Sequence, residues 1–387
     1  MFDRDIVMYL RKKEKVDRFI LIAVLLQPLL ILLQHIMIDV LHMSAEQTTV
    51  YRVVFSAIPM SVAIVISFFR KPFMFISVYT VVIMILLLHS IVFPENYQYL
   101  WQEALRFTLP MVISSALCVV TVGRIDLFEK VLYVISWVAV IEIAIYFISY
   151  LRGDFLIADY NMSFSYACLF PMISLYRRRK SLPVLFSLLI FVIVVAIGSR
   201  GAAIIFSVYL IFDIIQRNRK LLIPLVVVLV SLPALLPFLI DFFDSIGLHS
   251  RTLAHFTGGQ MGRVDDRTPL YDAGWKSILD SPFLGTGLWG DRAMLNGAYI
   301  HNIIIEILMD FGLLIGGSLI LFFIVSLSIK FLGLDGKHKN DMIAYTLMCI
   351  APLMFSNSYL ISPEFGIFVG LMIVLFQNNK SASVLKN

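Results

Sequence analysis

GRVDDRTPLYDAGWKSILDSPFLGTGLWGDRAMLNGAYIHNIIIEILMD, residues 262–310, holds most of the polar sequence that lies outside short turns and tails. Nearly everything before it, and most of the chain after it, is apolar segments joined by short basic turns. Segments of that kind build a frame inside a bilayer, because a helix satisfies all its own backbone hydrogen bonds there. The quoted stretch is where such a frame has room for chemistry on an aqueous side.

Composition supports that division. The 387 residues are 60% hydrophobic and 15% charged, against roughly 25% charged in soluble proteins, which excludes a soluble globular domain. The 31 Phe and 16 Tyr suit lipid-facing and interfacial positions. Cys118, Cys168 and Cys349 all fall in apolar segments, which argues against a disulfide framework or a thiolate metal site. The net charge of +5 needs no nucleic acid, since the basic residues sit mostly in the turns. There is no HExxH, no Cys/His cluster and no GxxxxGK[ST] loop, so neither a metal nor a nucleotide cofactor is expected.

About 20 apolar residues cross the ~30 Å hydrocarbon layer. The sequence offers twelve candidate spans: 19–38, 51–69, 73–93, 104–122, 128–150, 162–176, 181–198, 201–215, 221–240, 308–329, 342–359 and 364–378. The sixth, eighth and twelfth are short. Pro233 and Pro237 in the ninth predict either a kink toward the outer surface or a tilted, packed helix, the second being the expected one. The charged first eighteen residues precede an apolar run without a small-residue cleavage site, which reads as a retained first span. Alternate turns divide the 31 Lys and Arg into 22 on one side and nine on the other. The basic side is the cytoplasmic one.

The expected layout is therefore a cytoplasmic tail at 1–18, nine spans over 19–240, an extracytoplasmic loop at 241–307, three spans over 308–378 and a cytoplasmic tail at 379–387. This is an all-α, polytopic inner-membrane protein, with both termini inside and the long loop outside. No internal repeat is visible, and Glu142 is the only carboxylate deep in a predicted span. Both features argue against an ion-coupled carrier.

The loop is net negative by two between 241 and 300, so its arginines are not a general basic surface. Arg267 precedes Thr268, read as an N-cap, and Pro269 at the first helical position. The helix begun there places Leu270, Gly274, Trp275 and Ile278 on one face and ends at Ser281-Pro282. A guanidinium beside a helix N-terminus makes a bidentate clamp for phosphate. Arg263 either joins it or pairs with Asp265 or Asp266. Arg200, in the turn Gly198-Ser199-Arg200-Gly201, is either a second phosphate ligand or a snorkelling interfacial arginine.

Gly285-Thr286-Gly287 gives a tight turn, with close approach to a ligand as the alternative reading. Asn302 caps the helix after it, where Glu306 and Asp310 lie one turn apart. His301 stands just outside that helix, either as a structural residue or as a general base suited to neutral pH.

These pieces together resemble the bacterial O-antigen ligase/polymerase superfamily. The matching residues are Ser199-Arg200-Gly201, Arg267-x-x-x-Tyr271, Pro282-x-x-Gly285-x-Gly287, and His301-Asn302 leading to Phe311-Gly312-Leu313. With the twelve-span plan, the resemblance covers most of the chain. Tyr271 departs from the tryptophan usual in that family. The resemblance implies a GT-C-like, metal-independent, inverting glycosyltransferase. Its donor would be an oligosaccharide on undecaprenyl diphosphate in the outer leaflet. It further implies that Arg200, Arg263 and Arg267 bind the diphosphate, that Arg267 and His301 are catalytic, and that Tyr271, Gly285, Gly287 and Asn302 support them. A flippase and a chain-length regulator are the partner proteins it would suggest.

Three functions remain: polymerase, ligase, and transporter or flippase. The polymerase is the first choice. A membrane scaffold is the blandest alternative and leaves Arg267 and His301 unexplained.

Overall fold

A computed structural model describes residues 2–152, 162–197, 199–217, 245 and 267–384. Every regular element among them is helical. Among the described residues six helices are long and apolar enough to cross a membrane: Arg11–Val40, Glu46–Arg70, Pro72–Val92, Pro94–Val122, Ile125–Leu151 and Ile303–Leu332. A 21-residue helix such as Pro72–Val92 is about 31 Å long, matching the hydrocarbon layer. Phe73, Ile76, Leu88 and Ile91 stand exposed along it, a surface that lipid covers. The chain is an all-α polytopic membrane protein.

Those six correspond to spans one to five and ten predicted from the sequence. The other segments differ in detail. The sixth consists of two short helices, Met162–Ala167 and Leu169–Arg177. The seventh and the twelfth contain the shorter apolar helices Ser181–Ile197 and Pro363–Gln377. The eighth is the helix Arg200–Arg217. The ninth, with Pro233 and Pro237, lies outside the described residues.

The eleventh predicted span needs correction. Its helix, Gly336–Cys349, is only 14 residues long and gives way to a short 3-10 turn at Ala351–Met354. Pro352 stands just past that end, and proline cannot continue the hydrogen-bond ladder. Residues 355–362 are irregular and feed side chains into the candidate site. The tenth span starts earlier than read, at Ile303, and is interrupted by a π-helical turn at Gly312–Gly316.

The chain forms two compact units. One comprises Met1–Val24, Ile58–Phe128 and Val264–Asn387; the other comprises Leu25–Ala57 and Glu129–Arg263. In the first unit, Pro363–Val384 packs against Ser114–Val122 through Gly370 and against Val112, just before that helix, through Gly366. A Cβ on Gly370 would stand 2.8 Å from the Ala116 carbonyl oxygen. Small residues four apart let helix backbones approach this closely where no hydrophobic drive separates protein from lipid.

Two apolar clusters flank the site in this unit. Leu86, Leu100, Ala104, Leu109, Leu288, Trp289 and Leu360 make one, and Ile278, Ile300, Ile305, Leu308 and Met309 the other. In the second unit Leu169–Arg177 packs on Ser181–Ile197, where Ser187 Oγ donates to the Met172 carbonyl at 2.7 Å. His35 Nε2 lies 3.1 Å from Ser163 Oγ, and Tyr146 donates to Asp39 at 2.9 Å.

Candidate functional site

The glycine turn and the helix Ile303–Phe311 are two halves of one backbone clasp. Thr286 N donates to the Met309 carbonyl at 2.7 Å, Gly287 N to Asp310 O at 3.2 Å, and Leu313 N to Pro282 O at 2.7 Å. Gly285 and Gly312 have φ of +71° and +75°, values that favour glycine. A Cβ on Gly285 would run into Met309 O, and one on Gly312 into the Pro282 and Phe283 backbone. Asn96 completes the clasp, donating to Thr286 O at 2.7 Å and Leu288 O at 3.2 Å. The turn reading of Gly285 and Gly287 thus has a physical cause: the bareness of Gly285 admits the Met309–Gly312 backbone and that of Gly287 admits the Phe93 side chain.

Beneath the clasp lies a buried ionic network. Arg292 Nη1 donates to both oxygens of Asp291 at 2.7 Å and to Glu306 Oε1 at 3.0 Å. Asp291, Arg292, Glu306 and Asp310 are all at most 3% exposed. Burial opposes the Arg292 charge, but Asp291 and Glu306 outweigh it and raise its pKa. Ser358 Oγ donates to Glu306 Oε1, and Tyr359 OH donates to Asp310 Oδ2 at 2.6 Å. Glu306 Oε2, Asp310 Oδ1 and Arg292 Nη2 are buried with no hydrogen-bond partner among the described residues. Orphaned groups of this kind are rare in protein interiors.

The outer edge of the network carries the residues singled out from sequence. Asp291 Oδ2 accepts from Ile300 N at 3.2 Å, and the Arg292 guanidinium lies 5.2 Å from the Tyr299 ring centre. The Tyr299 ring in turn lies 4.2 Å from that of His301. Burial raises the Tyr299 phenol pKa, which keeps it a neutral donor. His301 adopts a left-handed backbone with φ +56°. Its Nδ1 is buried with no hydrogen-bond partner among the described residues. Burial, then the charges of Arg267 and Arg292, push its pKa down to about 4. It is therefore a neutral imidazole at physiological pH.

Asn302 caps the helix as read, its Oδ1 accepting from Ile304 N at 3.0 Å and Ile305 N at 3.2 Å. Its Nδ2 donates to Met354 O at 3.3 Å, tying the irregular segment to the site. Arg267 Nη1 donates to Phe355 O on the same segment. Arg267 is itself the N-cap residue of the helix Thr268–Asp280, with no side-chain cap bond. Thr268, read as the cap, is instead the first helical residue, with Pro269 next to it. Tyr271 packs half-buried on the cluster around Ile278 and Ile300. Trp275 does not share the buried face with Gly274 and Ile278; it is 46% exposed, and Ser277 takes its place.

Arg267, His301, Tyr271, Asn302, Gly285 and Gly287 all belong to the first unit. Arg200 belongs to the second, where it opens the helix Arg200–Arg217 with an exposed side chain after buried Ser199. Gly201 is bare because a Cβ there would strike the Tyr166 hydroxyl. Arg263, like Asp265 and Asp266, lies outside the described residues.

Three pairs gave no site assignment from sequence alone: Asp291-Arg292, Glu306 with Asp310, and Ser358-Tyr359. Glu142 is not the only carboxylate within a span, because Glu306 and Asp310 are buried inside Ile303–Leu332. The signal was present in IIIEILMDF, since a carboxylate every fourth residue in so apolar a helix demands buried partners. Ser358 and Tyr359 gave no signal, being hidden inside a predicted helix.

A family model described as O-antigen ligase matches residues 185–323. The match takes in Arg200, Arg267, the clasp, His301, Glu306 and Asp310, and ends before Ser358. Neither the curated proteins nor the solved structures gave a match.

Proposed function

We propose that this chain, whose residues 185–323 match the O-antigen ligase family, is a membrane glycosyltransferase that joins oligosaccharide repeat units carried on undecaprenyl diphosphate. The observation that carries the reading is that Arg267 and Asn302, the neighbour of His301, donate to the adjacent carbonyls of Phe355 and Met354, which brings Arg267 and His301 to one place. A cation at a helix start acts on a neutral imidazole that has one buried nitrogen with no hydrogen bond among the described residues. A diphosphate leaving group needs the first, and an acceptor hydroxyl needs the second.

In this reading Arg267 binds the diphosphate, with Arg200 and Arg263 as further ligands. The acceptor oxygen attacks the anomeric carbon from the face opposite the diphosphate. The bond from that carbon to the phosphate oxygen breaks, and its electron pair leaves with the lipid diphosphate. The acceptor proton passes to His301, and the anomeric centre is inverted. Guanidinium groups stabilise the charge that grows on the leaving oxygen, a preorganised electrostatic role. Diphosphate bound at Arg267 also offsets the positive charge that helps to hold His301 low, so the imidazole becomes more basic when substrate is in place. The reaction takes place at the outer face of a bacterial cytoplasmic membrane, with both termini inside.

A second reading is the ligase, which moves finished glycan from the same carrier to lipid A-core. The family match supports both readings alike. The transporter draws no support from the family match.

Arg267→Ala tests the shared chemistry. The variant accumulates in the membrane as the parent does but forms no glycan product from lipid-linked donor. Arg267→Lys keeps the charge, loses the fork and restores only a minor part. Normal glycan from Arg267→Ala would remove this residue from the mechanism.

A further inference from the structure

The helix Thr268–Asp280 buries one face and leaves a second apolar face uncovered. Gly274, Ser277 and Ile278 are buried. A ridge of Tyr271, Trp275 and Leu279, each four residues from the last, runs along another side. Tyr271 is half-buried, whereas Trp275 is 46% and Leu279 67% exposed. The turn prolongs the ridge with Phe283 at 70% and Leu284 at 60%. The exposed charged residues Asp272, Lys276 and Asp280 lie along its flank.

That ridge is continuous with a lipid-covered surface. Pro282, next to Phe283, accepts the hydrogen bond from Leu313 N. Leu313, Leu314 and Ile315 are exposed within the candidate span Ile303–Leu332, just past the mostly buried helix Ile303–Phe311. The helix after them, Gly317–Leu332, has no buried residue at all. Ring types that pair an apolar body with a polar tip gather at the headgroup boundary. A helix with one strip apolar and its flank charged lies in the plane of that boundary.

We propose that the helix Thr268–Asp280 rests on the bilayer, with Trp275, Leu279, Phe283 and Leu284 dipped into the lipid at headgroup depth. Tyr271, where a tryptophan would serve the same end, marks the inner edge of this strip. Arg267 opens the helix and is thereby held at the depth of lipid phosphates. The occupant of the ridge is phospholipid, not a second copy of the chain or another protein. This inference stands on exposure and continuity alone, so it survives or fails apart from the glycosyltransferase reading.

Two single-cysteine labels test it. Cys118, Cys168 and Cys349 are buried, so a nitrobenzoxadiazole label on Leu279→Cys or Lys276→Cys reports the helix surface. The full chain is reconstituted in phosphatidylethanolamine–phosphatidylglycerol vesicles that contain lipid brominated near the top of the acyl chain. The label at 279 emits blue-shifted light and is quenched by brominated lipid several-fold more than the label at 276, which iodide in the buffer reaches. Equal iodide quenching at both positions, with none from brominated lipid, would overturn the proposal. Cross-linking of 279 to 279 between two chains in those vesicles would also overturn it, by assigning the ridge to a second copy. A label at Phe283→Cys, off the helix, gives the same readout should either helix variant fail to insert.

Discussion

Arg292 and Arg267 stand in one unit, at either side of Tyr299 and His301, and they are handled in opposite ways. Arg292 is 3% exposed, shares two oxygens of Asp291 and reaches Glu306. Arg267 lies at the accessible edge, and its guanidinium donates to a backbone carbonyl on the irregular segment. The first charge is used inside the protein, where it holds the loop to the helix. The second is the one proposed to meet the diphosphate. Charge type alone therefore does not single out the arginine proposed to bind substrate; burial and partners separate the two.

The sharpest way to break that contrast is Arg292→Ala. It leaves Asp291 and Glu306 buried without their counter-ion, and removing one partner of a buried pair costs about 3–5 kcal/mol. The variant therefore fails to accumulate in the membrane, unlike Arg267→Ala. Parental levels of Arg292→Ala on an immunoblot would show that the network is not what holds this region. Gly312→Ala is next. A non-glycine residue in that left-handed conformation costs about 1–3 kcal/mol, and here its Cβ also meets the Pro282 carbonyl 2.7 Å away. Its thermal unfolding in detergent moves down by several degrees. An unchanged transition would mean that the clasp opens without cost.

Asn302→Ala removes a helix cap and a tie to Met354, a loss of about 1 kcal/mol, read as a smaller downward shift. His301 sharpens the comparison without a large energy. Its folded pKa lies below the ordinary histidine value, so the unfolded chain binds the extra proton between about pH 6.5 and about 4. Its contribution to stability is whole above that window and is lost as pH falls through it. Arg267→Ala removes one of the two charges that hold it down. Nitrogen-labelled histidine spectra should then place the His301 midpoint above that of the parent. An unmoved midpoint would separate the two side chains.

The frame was legible because bilayer burial imposes length. Helices such as Pro72–Val92 need their whole run of apolar side chains, and the sequence shows it. Asn302 was legible because capping is local. Gly285 and Gly287 read as a turn, yet what they turn against, Met309 to Gly312, is a tertiary fact. Trp275 was grouped with Gly274 and Ile278 because a sequence pattern shows which residues are apolar and not which of them find a partner; Ser277 is buried and Trp275 is not. The eleventh span misled for a related reason: hydropathy over 342–359 counts side chains and does not see that the helix ends at Cys349. Ser358 and Tyr359, the hydroxyl partners of Glu306 and Asp310, were lost with it.

Polymerisation of lipid-linked repeat units is the function proposed for the chain. A gel profile of the surface polysaccharide from a strain without this chain, run beside its lipid-linked intermediates, tests it most directly. Polymerisation predicts a single repeat unit on the normal acceptor, with the ladder gone. Full-length polymer stranded on undecaprenyl diphosphate, with none on the final acceptor, would contradict polymerisation and assign the chain as a ligase.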